Sequence, residues 1–153
     1  MTLSTDHTSA QVSGAREELE NTIVRIQELG EPCVLLTLIL TQGAVARKAG
    51  TRALYTLQGL QGTLGGGLFE ARTSEQAEIL LQKKESGLFS YAGHDDTGRG
   101  KREVLCEFLH AGLTDLFRLA ARNLTEGIPG VWEIDITDPA APKRTLLLPK
   151  PPA

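Results

Sequence analysis

Hydrophobic and polar positions change period several times along the chain, and each change marks an element. From Ser13 to Gly30 the apolar residues Leu19, Ile23 and Ile26 recur at helical spacing and share a face with Gly30. Ser13 stands at the capping position, Glu17 and Glu18 lie in or near the first turn, and Gly30 and Pro32 stop the helix. Cys33–Thr41 is apolar on both faces and bounded by breakers, the pattern of a central strand covered on both sides. After a loop over Gln42–Gly50, Thr51–Leu57 reads as a second strand, with Ala53, Tyr55 and Leu57 on one face and Leu54 on the other. A turn at Gln58-Gly59 and a short strand over Leu60–Leu64 complete a hairpin. Helical spacing returns from Leu68 to about Glu85, with Phe69, Ala77, Leu80 and Leu81 as the apolar stripe and Gly87 as the stop. Thr73-Ser74-Glu75-Gln76 is also a capping box that would start this helix a turn later.

The remainder alternates strands with one more helix. Leu88–Ala92 predicts a short strand, Gly93–Arg102 a loop, and Glu103–Leu109 a strand. Gly112–Glu126 predicts a helix with Leu113, Leu116, Phe117, Ala120 and Leu124 on one side. Trp132, Ile134 and Ile136 alternate with Glu133 and Asp135 in a half-exposed strand over Val131–Thr137; a turn at Asp138–Pro142 and a short strand over Arg144–Leu148 follow. The expected fold is α/β (α+β): a single domain over residues 13–148 with a mixed sheet flanked by about three helices. Met1–Val12, polar and aperiodic, is expected to be a disordered tail, and Pro149–Ala153 a proline-rich one.

Composition narrows the class. A chain of 153 residues, 41% hydrophobic and 23% charged, buries a sizeable core without disulfides or metals. A net charge of −3 argues against nucleic-acid binding, which calls for a basic domain or stripe. The longest apolar run, Cys33–Leu40, is too short to cross a bilayer, and the N-terminal stretch lacks the basic and apolar regions of a secretory signal. Cys33 and Cys106 sit singly inside apolar runs, which predicts buried thiols in a reducing compartment and a cytoplasmic protein.

The candidate chemistry gathers at Gly62-Thr63-Leu64-Gly65-Gly66-Gly67, directly ahead of the second helix. Three consecutive glycines give up much conformational freedom on folding. They are called for by a left-handed turn, by a close helix–strand approach, or by an anionic ligand lying on free amides at a helix N-terminus. The spacing is neither that of a dinucleotide-binding loop nor that of a P-loop. Arg47, Lys48 and Arg52 come from the preceding loop and strand, and the hairpin would return them toward the glycines as guanidinium and ammonium partners of a phosphate. Glu70, in the first helical turn, suits either a hydrogen bond to a ligand N–H, a pair with Arg52, or a helix-dipole role. His94-Asp95-Asp96 and the Arg99, Lys101, Arg102 cluster read as solvated loop, and no Ser-His-Asp or Cys-His set assembles.

Gln42-Gly43-Ala44-Val45-Ala46-Arg47-Lys48-Ala49-Gly50-Thr51-Arg52, followed by Gly62-Thr63-Leu64-Gly65-Gly66-Gly67-Leu68-Phe69-Glu70-Ala71, resembles the N-terminal domain of the xanthine dehydrogenase accessory protein family, XdhC/CoxI. The resemblance covers roughly Pro32 to Leu109. Its second motif, Gly-Thr-x-Gly-Gly-Gly-x-x-Glu, is matched in full. Members of that family bind the molybdenum cofactor, protect it, and assist its sulfuration and insertion into xanthine dehydrogenase or related molybdenum hydroxylases. The resemblance therefore implies molybdopterin as cofactor, held by Gly43, Arg47, Arg52, Gly65, Gly66, Gly67 and Glu70. It also implies a molybdenum hydroxylase as client, no nucleic-acid or membrane partner, and a non-catalytic accessory role; a homodimer stays open. Ala44 and Ala46 stand where the family has Ser and Pro, Gly98-Arg99-Gly100 stands near its Cys-Gly-Gly turn, and its C-terminal Rossmann domain has no counterpart. These departures motivate two alternatives: a ligand-free interaction or regulatory module, and a small enzyme acting on a phosphorylated heterocycle with Glu70 or Asp95 as base.

Overall fold

A computed structural model describes residues 2–6, 13–42, 49–92, 100–128 and 130–148. The chain forms two compact units, Met1–Glu31 with His110–Asp138 and Pro142–Ala153, and Pro32–Leu109 with Pro139–Ala141. The α+β class and three α-helices are as expected, with the strands divided between two sheets and every described strand pair antiparallel.

The first unit contains β1 (Thr2–Asp6), α1 (Ser13–Glu28), α3 (Thr114–Thr125), β7 (Val131–Asp135) and β8 (Lys143–Leu147). Its sheet has the order β1-β7-β8. Thr2–Asp6 therefore departs from the expected frayed tail, pairing with β7 in the register Leu3↔Ile134. Five residues are too few to show a period, but two threonines suit a pleated edge. Residues 7–12 and 149–153 lie outside the described residues. Trp132 and Ile134 are fully buried, as alternation demands of a sheet with one face covered. Phe117 of α3 packs on Trp132 at 5.1 Å between ring centroids. Arg144 lies over both rings, 4.7 Å from the Trp132 centroid and 5.5 Å from that of Phe117. A polar seam joins the two helices: Gln27 donates to the His110 carbonyl at 3.0 Å and accepts from the Thr114 hydroxyl at 3.0 Å, and Arg118 meets Glu28 at 2.8 Å. Gly30, at φ 72°, ends α1 with its amide on Gln27 O, while the next amide reaches Ile26 O.

The second unit contains β2 (Cys33–Gln42), β3 (Arg52–Thr56), β4 (Gly59–Gln61), α2 (Gly67–Lys83), β5 (Gly87–Ala92) and β6 (Lys101–Phe108). The sheet order is β4-β3-β2-β6-β5, so the doubly apolar β2 is central. One face of the sheet, with Val34, Leu36, Leu38, Ala53, Val104 and Cys106, packs with Phe69, Ala77, Leu80 and Leu81 of α2 in one core. Cys33, Leu35, Leu54 and Leu105, which alternate with these, are buried as well.

Several boundaries differ from the sequence expectation, three of them around the entry and exit of α2 and its sheet. The third strand of the hairpin region stops at Gln61 instead of Leu64, because Gly62 turns to φ 92°. β6 starts at Lys101, two residues into the expected loop, because β2 runs on to Gln42 and β5 to Ala92, giving Lys101 and Arg102 a partner on each side. Helix α2 starts at Gly67, which excludes the later capping box; the Thr73 hydroxyl instead donates to Phe69 O at 2.8 Å inside the helix. It stops through Lys84 at φ 57°, and Gly87 opens β5.

Candidate functional site

The β3–β4 hairpin carries the chain back along the sheet, and the buried Thr56 fixes its turn, accepting from Gln58 N at 3.1 Å and donating to Gly59 O at 3.3 Å. Beyond β4 the chain reaches the end of the sheet where β2 terminates and turns into α2. Gly65, Gly66 and Gly67 hold φ 127°, 78° and 69°. A Cβ at Gly66 or Gly67 would meet nothing within 4 Å. Of the three explanations for the glycines, a close helix–strand approach is thus excluded at these two positions, and the left-handed backbone alone accounts for them. Gly66 combines its positive φ with ψ −173°, a region open to glycine almost exclusively.

The turn contains its own anion. Glu70 Oε1 accepts from the Thr63 hydroxyl at 2.6 Å and from Leu64 N at 2.8 Å, and the Gly66 amide donates to the same carboxylate. The Thr63 hydroxyl accepts in turn from Gly65 N at 3.1 Å. Partial burial alone would raise the Glu70 pKa, but the Thr63 hydroxyl and the Leu64 and Gly66 amides outweigh it and hold the carboxylate below its usual range. A carboxylate so stabilised is a weak general base.

The other sequence candidates fall in different places. Arg52 opens β3 opposite Thr37, and strand alternation directs it to the face away from Ala53 and α2, where its terminal guanidinium nitrogens are buried. Gly43, Ala44, Ala46, Arg47 and Lys48 lie outside the described residues, as do His94, Asp95, Asp96 and Arg99. Of the basic cluster read as solvated loop, Lys101 pairs with Glu103 at 3.5 Å. Arg102 lies on the α2 side of the sheet, its guanidinium carbon 4.6 Å from the centroid of the Phe69 ring. Neither the Thr63–Glu70 bond nor the Arg102–Phe69 stack was expected from sequence; the one available signal was a hydroxyl and a carboxylate flanking the glycines.

The two thiols are free and buried, and burial pushes both up to about 12. Among the described residues, no three His, Cys, Asp or Glu side chains converge as a metal site. Nor is any described helix long and apolar enough to cross a membrane.

An antiparallel five-stranded sheet with one covering helix and a self-satisfied glycine turn at the helix entry defines the class of domain. The model of the XdhC and CoxI family matches residues 26–92, which hold the central strand, the hairpin, the glycine turn and α2. Over that stretch the chain is similar to the XdhC and CoxI family. A crystal structure described as a xanthine dehydrogenase from Bacillus halodurans shares the fold with a TM-score of 0.69 at 21% identity, over 85% of this chain. This chain spans 42% of that one. No curated protein matches.

Proposed function

We propose that the protein is a cytoplasmic accessory factor in the maturation of a molybdenum hydroxylase, binding the molybdenum cofactor and passing it to a client of the xanthine dehydrogenase type. The observation that carries this reading is the glycine turn Gly62–Glu70, complete in sequence and folded within the segment that matches the family. The cofactor would supply the client's redox chemistry, and this chain would contribute binding.

The fit to the cofactor's phosphate divides the proposed residues. The amides of Leu64, Gly65 and Gly66 already serve the turn, and a phosphate placed on them would face the Glu70 carboxylate. These amides do not fit a phosphate while Glu70 holds them, and no contact is assigned through them. In this proposal Gly65, Gly66, Gly67 and Glu70 form a fixed rim, and Gly43 and Arg47 contribute to holding the cofactor. Arg52, aligned with Thr37, is directed to the opposite face of the sheet.

Expression with ample cofactor, followed by metal analysis and pterin fluorescence of the purified protein, tests the reading. Molybdenum and pterin in fixed ratio to protein, lost in Gly66→Asp, are expected; protein free of both counts against it. The saturated amides favour one second reading, an interaction module that binds the client without cofactor. A specific client complex that forms equally well from cofactor-free protein would select it.

A further inference from the structure

We infer that Arg102 is an oxyanion-binding side chain at the glycine-turn end of the five-stranded sheet, suited to a phosphate monoester. The assignment rests on the proposed cofactor reading for its ligand class and on geometry for its site.

The platform under Arg102 is rigid. Phe69 is 1% exposed, belongs to the first turn of α2, and packs at 5.5 Å against Tyr91, the cross-strand partner of Arg102. The guanidinium carbon lies 4.6 Å from the ring centroid, a cation–π contact that leaves the guanidinium N–H groups as a donor fork that matches two oxygens of a phosphate. Among the described residues no carboxylate or hydrogen-bond acceptor takes that fork. The neighbouring Glu103 points to the other face of β6 by alternation and pairs with Lys101.

The surroundings select a side chain over the backbone as the anion partner here. Leu64, Gly65 and Gly66 have their amides occupied by Glu70 and Thr63, so an anion arriving at this end finds the turn closed. Arg52 is directed to the opposite face. The register places Arg102 opposite Thr41, one residue before β2 ends at Gln42, so the segment carrying Arg47 and Lys48 departs from the same end of the sheet. Among the described residues, Arg102 is a cation held at that end by packing on an aromatic ring.

Titration of the full chain with inorganic phosphate, followed through the arginine side-chain Nε–H signals by NMR and by calorimetry, tests the assignment. The Arg102 signal is expected to shift on saturation, Arg102→Gln to weaken phosphate binding tenfold or more, Arg102→Lys to weaken it less, and Arg52→Gln to leave it within twofold. A wild-type Arg102 signal that does not move, or an affinity within twofold in Arg102→Gln, overturns the assignment. Phosphate bound through Arg102 by protein that carries neither molybdenum nor pterin supports the site and counts against the cofactor reading alone. Equal cofactor retention in wild type and Arg102→Gln does the reverse.

Discussion

The Thr63 hydroxyl donates to Glu70 Oε1 at 2.6 Å across the three glycines, and the same oxygen takes the Leu64 amide at 2.8 Å. A short charge-assisted bond of this kind is stronger than a neutral one, though partial solvent access discounts it. Glu70→Ala is expected to cost roughly 1–2 kcal/mol and the Thr63–Glu70 coupling to reach about 1 kcal/mol. A double-mutant cycle in urea with Thr63→Ala measures it; a coupling near zero would show that the bond contributes nothing to holding the turn.

The same geometry fixes a pH dependence. The folded pKa of Glu70 lies below its unfolded value of about 4.3, so the stabilisation is fully present above that value and is lost as pH falls through the folded pKa. Asp135 titrates low too, chiefly through the bond from Thr137 N, so total stability alone does not isolate Glu70. The stability gap between wild type and Glu70→Gln should be widest near pH 7 and narrow below about pH 4. Denaturant unfolding at pH 3 and pH 7 decides it, and an equal gap at both contradicts the assignment.

Gly66 and Gly112 make opposite predictions with the same substitution. Neither has an atom within 4 Å of a built Cβ, so packing is neutral at both. Gly66→Ala forces an L-residue into φ 78°, ψ −173° and should cost about 1–3 kcal/mol. Gly112, in the Ala111–Leu113 turn of 3-10 helix, has no positive φ, and Gly112→Ala should stabilise by about 0.4–1 kcal/mol through the unfolded chain. Thermal unfolding of both variants is the check, and a shift of the same sign in each would refute the backbone account.

These contrasts also show how much was legible in the sequence. Apolar periodicity found α1, the central β2 and the α2 stripe because burial acts on whole faces, as Ile23, Leu36 and Leu81 show. It missed β1, whose pairing with β7 depends on a distant strand. It placed glycine on the turn but left its cause open, since φ is not written in residue type. At the site, the glycine run and Glu70 were legible as a group, and the direction of the carboxylate was not. The basic residues fared worst: Arg52 was assigned by chain proximity, while strand parity sends it to the other face, and Arg102 was hidden in an expected loop.

Cys33 and Cys106 offer a test of the core. Burial holds both thiols near 12, so the reactive thiolate is scarce at neutral pH. A disulfide-exchange reagent at pH 8 should label neither in the native protein and both in denaturant. Fast labelling of native Cys106 would mean that the face of the sheet under α2 opens readily.

Lys84 ends α2 in the left-handed conformation, φ 57° and ψ 44°, the one described residue other than glycine with positive φ. Its amide reaches Leu81 O at 3.4 Å and the Glu85 amide reaches Leu80 O at 3.1 Å, so the cap depends on that backbone, and the exposed side chain makes no contribution to it. An L-residue there carries roughly 1 kcal/mol of steric cost that glycine lacks, partly offset by the extra freedom glycine gives the unfolded chain. Lys84→Gly should therefore stabilise by about 0.5 kcal/mol, a rise in Tm of about 1–2 °C, and Lys84→Val, with a branched Cβ, should destabilise. Calorimetry on the pair resolves the sign, and a loss of stability in Lys84→Gly would locate the stop of α2 in side-chain contacts instead of in the backbone.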